Sequence, residues 1–155
     1  MRNRIVCVVS FAMCVISLLL VLLFTIPPTR ISGNGNPGLL FVITALIFFA
    51  ALLVSICIES VKLLAKSGAG NPPAAILSIA LSLLIVVLVI AQIDYQNKLL
   101  IELGGDDANP NSKIYRFFIL NQYTNTMFFN EYILCIGSFG SMMLGIFIYM
   151  IRTNG

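Results

Sequence analysis

Residues 74–103 read AAILSIALSLLIVVLVIAQIDYQNKLLIEL. Ala74 to Ile93 is 20 residues long and carries no charge, and about 20 apolar residues in helical form cross the roughly 30 Å hydrocarbon core of a bilayer. A barrel strand would be about 10 residues long and would alternate polar with apolar; Leu83–Ile90 shows no alternation. An open strand would leave its backbone groups unpaired in lipid. The stretch therefore reads as a transmembrane helix. Asp94 to Leu103 continues it without Gly or Pro, and Lys98 and Glu102 stand i, i+4 for an ion pair. The helix is expected to project beyond the membrane by about two to three turns.

Three further stretches behave alike. Ile5 to Ile26 has 22 residues, Gly38 to Ile58 has 21 and Tyr132 to Ile151 has 20, all uncharged. Of the 155 residues, 59% are hydrophobic and 10% charged, with a mean hydropathy of +1.02. A soluble domain is about 45–50% apolar and about 25% charged. A chain this small could not bury the excess in its own core. That excludes a cytosolic enzyme, a nucleic-acid-binding domain, a disordered chain and a disulfide-stapled secreted domain. The fold class expected is an all-α integral membrane protein with a single domain over 1–155. It is a four-transmembrane-helix bundle, with spans near 5–26, 38–58, 74–93 and 132–151. A helical extramembrane hairpin, 94–131, stands between the third and fourth spans. Arg2 and Arg4 before the first span resemble a signal peptide's basic start. The apolar run is longer than the usual 7–15 residues and no small-residue cleavage site follows, so an uncleaved anchor is expected.

The basic residues suggest an orientation. The termini and the 59–73 connection carry Arg2, Arg4, Lys62, Lys66 and Arg152, five over 23 residues; the 27–37 and 94–131 connections carry Arg30, Lys98, Lys113 and Arg116, four over 49. The denser side is expected in the cytoplasm, with both termini. The plasma membrane is the expected location.

Helices in lipid pack through small residues and interhelical hydrogen bonds. Cys7, Ser10, Cys14 and Ser17 follow a 3-4-3 spacing, the seam pattern of left-handed packing. Thr44, Ala51 and Ser55 share a face; Ala74, Ser78 and Ser82 recur at i+4, as do Gly137, Ser141 and Gly145, with Gly140 beside them. These stripes either hold the bundle together or, on the last helix above all, receive another subunit.

Chemistry-bearing groups are scarce. The chain has no His, which removes bis-His haem, the usual Zn and Cu sites and His-dependent nucleophiles. Cys7, Cys14, Cys57 and Cys135 all lie within spans and form no Cys-x-x-Cys pair, so thiol redox chemistry has no support. No ionisable residue sits mid-span, which disfavours a proton relay or an ion-coupled transporter. Glu59 with Lys62 at i+3 reads as an interfacial ion pair. Gln92 and Asp94 read as an ordinary helix exit. No cofactor and no metal are expected.

The 94–131 segment has a character of its own. Residues 104–112 read as a chain reversal, and the acids and amides there do not match a calcium-binding loop. Tyr115, Phe117, Phe118, Tyr123, Phe128 and Phe129 follow, with Tyr132 beyond. Aromatics at this density form either an interfacial belt packed on the helix extension or an anchor for a partner. Four spans with an enlarged second outer loop resemble the tetraspanins in outline. That family's loop carries Cys-Cys-Gly and further cysteines, and this loop has none, so the resemblance carries no function.

The function expected is a non-enzymatic accessory or structural subunit of a larger membrane complex. It would act by helix packing and by docking through the outer-loop aromatics. Its partners are the lipid bilayer and other membrane-protein subunits, with no nucleic acid. The alternative is a small oligomeric channel or carrier for a neutral or lipid-like solute.

Overall fold

The computed structural model describes residues 2–31, 35–68 and 70–154. Residues 32–34 of the 27–37 connection and residue 69 of the 59–73 connection lie outside the described residues. The described chain is helical, without strands: α1 (Arg2–Phe24), α2 (Gly38–Ser67), α3 (Asn71–Glu102), α4 (Lys113–Phe117), α5 (Asn125–Phe128) and α6 (Glu131–Asn154). Four stretches are long and apolar enough to cross a membrane: α1, α2, α3 and the run Asn125–Thr153 that contains α6.

Two boundaries differ from expectation. The α2 helix continues nine residues past Ile58, because Lys62 and Lys66 are good helix formers that do not break the hydrogen-bond ladder. It stops at Gly68, whose φ of 62° is the left-handed cap that glycine adopts without strain. The α3 helix then opens on Asn71-Pro72-Pro73. Proline is tolerated in a first turn, where its missing N–H would have no helical partner. The expected 59–73 connection thus shrinks to 68–70. At its other end α3 runs on to Glu102, giving the projection the sequence implied. The ion pair there is a correction: Lys98 Nζ lies 2.7 Å from Asp94 Oδ2, not against Glu102. An acid one turn N-terminal to its lysine is the more favourable order on a helix.

The long helices form a row. α1 packs along α2, α2 along α6, and α6 along α3. α1 and α3 each lie along one long neighbour, so the row has two open ends. The exposed surface is 9271 Å², against about 7,700 Å² for a compact monomer of this mass. The excess is what an open row costs relative to a closed ball. One core cluster joins α1, α2 and α6 through Cys14, Ala45, Leu52, Phe129 and Leu134. A second joins α3 and α6 through Ala74, Leu81, Ile146 and Tyr149. A third, Leu99, Leu103, Ile114 and Tyr123, holds the hairpin to the α3 projection.

The two ends of the row differ. At the end with both termini, Glu59 accepts from Asn3 Nδ2 at 2.9 Å, from Arg4 Nε at 3.2 Å and from Lys62 Nζ at 3.0 Å. Thr153 Oγ1 donates to Asn71 Oδ1 at 2.9 Å nearby. At the other end the chain reverses over 104–112. Lys113 N–H donates to the Leu103 carbonyl at 2.9 Å, and Ser112 Oγ caps α4 by accepting from Tyr115 N–H at 2.9 Å. The chain then descends to the ends of α1 and α2.

Candidate functional site

The small-residue stripes lie at the helix contacts. Ser10, Cys14 and Ser17 are buried on α1, with Cys7 half-buried beside them, packed along α2. On α6, Gly137 sits under the Phe49 ring and Ser141 Oγ donates to the Leu53 carbonyl of α2. A Cβ at Gly145 would lie 2.6 Å from the Cys57 carbonyl oxygen and 2.7 Å from Ser60 Cβ, so the backbones there approach as closely as only glycine permits. The Gly137–Ser141–Gly145 ridge is therefore occupied within the chain by α2. Ser78 and Ser82 are half-buried on α3; Ser82 Oγ donates to the Ser78 carbonyl at 2.9 Å and reaches Met143 Sδ of α6 at 3.7 Å.

Gly140 is the member of the stripe that points away. A Cβ there would meet nothing within 4 Å. It borders a groove of about 410 Å³ between α2 and α6, lined by Val54, Ile58, Gly140, Ser141 and Leu144. A second groove of about 580 Å³ runs between α3 and α6 past Ser78, Ile79, Leu144 and Phe147. Leu144 lines both, so the two grooves flank one exposed strip of α6: Gly140, Leu144, Phe147 and Ile151, spaced 4-3-4.

The hairpin end holds a polar cluster that the sequence reading missed. Asn121, Gln122, Thr124, Asn125, Thr126 and Asn130 are all buried, and so is Gln92 of α3. Asn36 and Asn125 form a reciprocal amide pair, each donating to the other's oxygen at 2.8 Å. Asn130 caps α6 by accepting from Ile133 N–H at 3.0 Å; its amide nitrogen donates to the Thr126 carbonyl at 2.9 Å and to Gln92 Oε1 at 2.8 Å. Tyr95 Oη donates to Thr126 Oγ1 at 2.7 Å. Buried amides need such partners, since an unmet one costs about 1–3 kcal/mol. The signal was present: six amide or threonine side chains among ten residues, 121–130, interleaved with aromatics.

The six outer-loop aromatics separate into two sets. Tyr123 and Phe129 are buried inside the chain's own core, and Phe128 is half-buried. Tyr115, Phe117 and Phe118 are exposed. Phe49 meets Phe129 edge to face at 5.7 Å between centroids, and Phe117 meets Tyr123 at 6.1 Å. Lys113 Nζ lies 4.1 Å from the Tyr123 ring centroid, donates to the Arg30 carbonyl at 2.9 Å and also to that of Pro28. Half of the segment therefore caps the helix row and half faces outward.

All four cysteines are free thiols. Among the described residues no group of three His, Cys, Asp or Glu side chains is placed to hold a metal. The buried polar groups are amides and hydroxyls, which can satisfy one another and order a structure. Comparison with known proteins finds no matching family model, no similar curated protein and no similar solved structure.

Proposed function

We propose that this chain is a non-enzymatic accessory or structural subunit of a membrane protein complex. The observation that carries the reading is the exposed strip of α6 between its two apolar grooves. Its own small-residue ridge is filled by α2, yet Gly140 leaves open space one helical step away. A partner's transmembrane helix fits such a strip, because association in lipid depends on close van der Waals packing at small residues. The neutral polar cluster is consistent with a structural role, since it ties the hairpin to the start of α2, to α3 and to the start of α6. In this reading the terminus end faces the cytoplasm of the plasma membrane, as its denser positive charge favours. A membrane-impermeant thiol reagent should then label Ala108→Cys from outside the cell; labelling only after permeabilisation reverses the orientation.

Purification in mild detergent tests the function. The expected result is recovery with unlike membrane subunits in fixed stoichiometry. A single chain or a homo-oligomer, recovered at every detergent strength, overturns it.

A further inference from the structure

At the hairpin end, six consecutive residues run Tyr115-Arg-Phe-Phe-Ile-Leu120, and all six are exposed. Phe118 is 81% exposed at a φ of 64° and ψ of 170°, a backbone region that only glycine enters freely. The chain is held there by hydrogen bonds from one side. Asn121 Nδ2 donates to the Phe118 carbonyl and Thr124 Oγ1 to the Ile119 carbonyl. Asn121 N–H donates to Thr124 Oγ1 at 3.0 Å, and Tyr123 N–H to Asn121 Oδ1 at 2.8 Å. A rigid polar base thus presents Phe118, Ile119 and Leu120 outward.

The height of this segment is set by its ties to the helices. Ile26 N–H, at the end of the first apolar stretch, donates to the Gln122 carbonyl at 2.9 Å. Asn125 pairs with Asn36, just before α2 begins. Residues 118–125 therefore lie level with the ends of the apolar stretches, whereas the 104–112 turn stands beyond them on the α3 projection. Basic residues gather beside residues 118–125. Lys113 is bonded to the 28–30 backbone, which brings Arg30 and the exposed Arg116 to the same side, with Ile31 99% exposed beside them. Neither arginine forms a salt bridge among the described residues. Of the acids at this end, Asp94, Glu102, Asp106 and Asp107 lie on the projection and its turn, and Glu131 opens α6.

We infer that Phe118–Leu120 is an interfacial wedge. It inserts among the lipid headgroups of the leaflet at the hairpin end, with Arg30 and Arg116 meeting lipid phosphates. Apolar side chains at the boundary plane with cations just above them match the headgroup and upper acyl regions in that order. This inference rests on the membrane reading of the four long helices, but not on the partner at α6.

The chain contains no Trp, so Phe118→Trp introduces a single fluorophore. The full chain is reconstituted into phosphatidylcholine vesicles containing lipids brominated at shallow or deep acyl positions. Phe118→Trp emission should be quenched most by the shallow bromines and shielded from aqueous iodide. Quenching by iodide without bromolipid quenching places the segment in water, and shielding from both places it under protein; either overturns the wedge. Leu83→Trp, on the exposed face of α3, serves as the reference and should be quenched by the deep bromines. If that fails, the membrane reading falls instead. Adding Arg30→Ala and Arg116→Ala to the Phe118→Trp chain should at least halve the shallow quenching. No change overturns the role of the arginines.

Discussion

Asn130 is held at both ends of its amide. The Ile133 N–H fixes its oxygen, and the Thr126 carbonyl fixes its nitrogen, which is why that nitrogen also faces Gln92 Oε1. The orientation of one amide dictates the other. Gln92 Nε2 is then buried without an acceptor among the protein's described atoms. Two substitutions separate these roles. Asn130→Leu removes a helix cap worth about 1 kcal/mol and strips Gln92 Oε1 of its donor, for a combined loss of about 2–4 kcal/mol. Gln92→Leu leaves Asn130 its bond to Thr126 and removes a buried donor that has no partner. Its expected effect lies between nothing and a gain of about 1 kcal/mol. Unfolding midpoints of both variants in mixed detergent check this. If Gln92→Leu falls as far as Asn130→Leu, then Nε2 meets an acceptor from outside the chain.

At the scale of the helices, periodicity made the stripes legible but not their partners. The i+4 spacing of Gly137, Ser141 and Gly145 announces a close approach without naming the helix that approaches. The structure assigns that ridge to α2 and leaves Gly140, one step round the helix, uncovered. Gly145→Leu should therefore separate α2 from α6, since its first side-chain atom already collides with the Cys57 carbonyl and Ser60. A loss of several kcal/mol is expected, on the order of a severe overpacking. Gly140→Leu should leave the fold intact, because nothing lies within 4 Å of its Cβ, and leucine is the better helix former by about 0.8 kcal/mol. Thermal unfolding in detergent distinguishes the two. If α6 docks a partner as proposed, Gly140→Leu should release the subunits that co-purify with the unaltered chain; their retention would falsify α6 as the docking strip. The polar cluster was less legible for a related reason. A run such as Asn121-Gln-Tyr-Thr-Asn-Thr126 looks like a solvated loop, and only the fold brings Asn36 and Gln92 from distant segments to satisfy it.

For the whole molecule, composition and charge-free length were enough to imply four long apolar helices, because each helix satisfies its own backbone and needs no partner to be recognised. Their arrangement was not available by that route. Side chains suited to lipid and side chains suited to a helix neighbour are equally apolar, so Ile79 and Leu81 of α3 read alike although one is exposed and the other buried. The contacts settle it as the row α1–α2–α6–α3. That row makes a prediction a closed bundle does not share. Packed helices lie about 8–10 Å apart, so three steps separate α1 and α3 by up to about 24–30 Å if the row is straight and by less where it bends, whereas a closed ring would make them neighbours at about 8–10 Å. Ala12 and Leu83 are exposed positions near mid-height of α1 and α3. Spin labels at Ala12→Cys and Leu83→Cys, with the four native cysteines replaced by alanine and helix content verified, report this distance by pulsed electron resonance. A distribution centred well beyond helix-contact distance, above about 15 Å, is expected. A distribution centred near helix-contact distance means the ends of the row meet, and the open face of α6 would then be the inside of a ring rather than a surface for a partner.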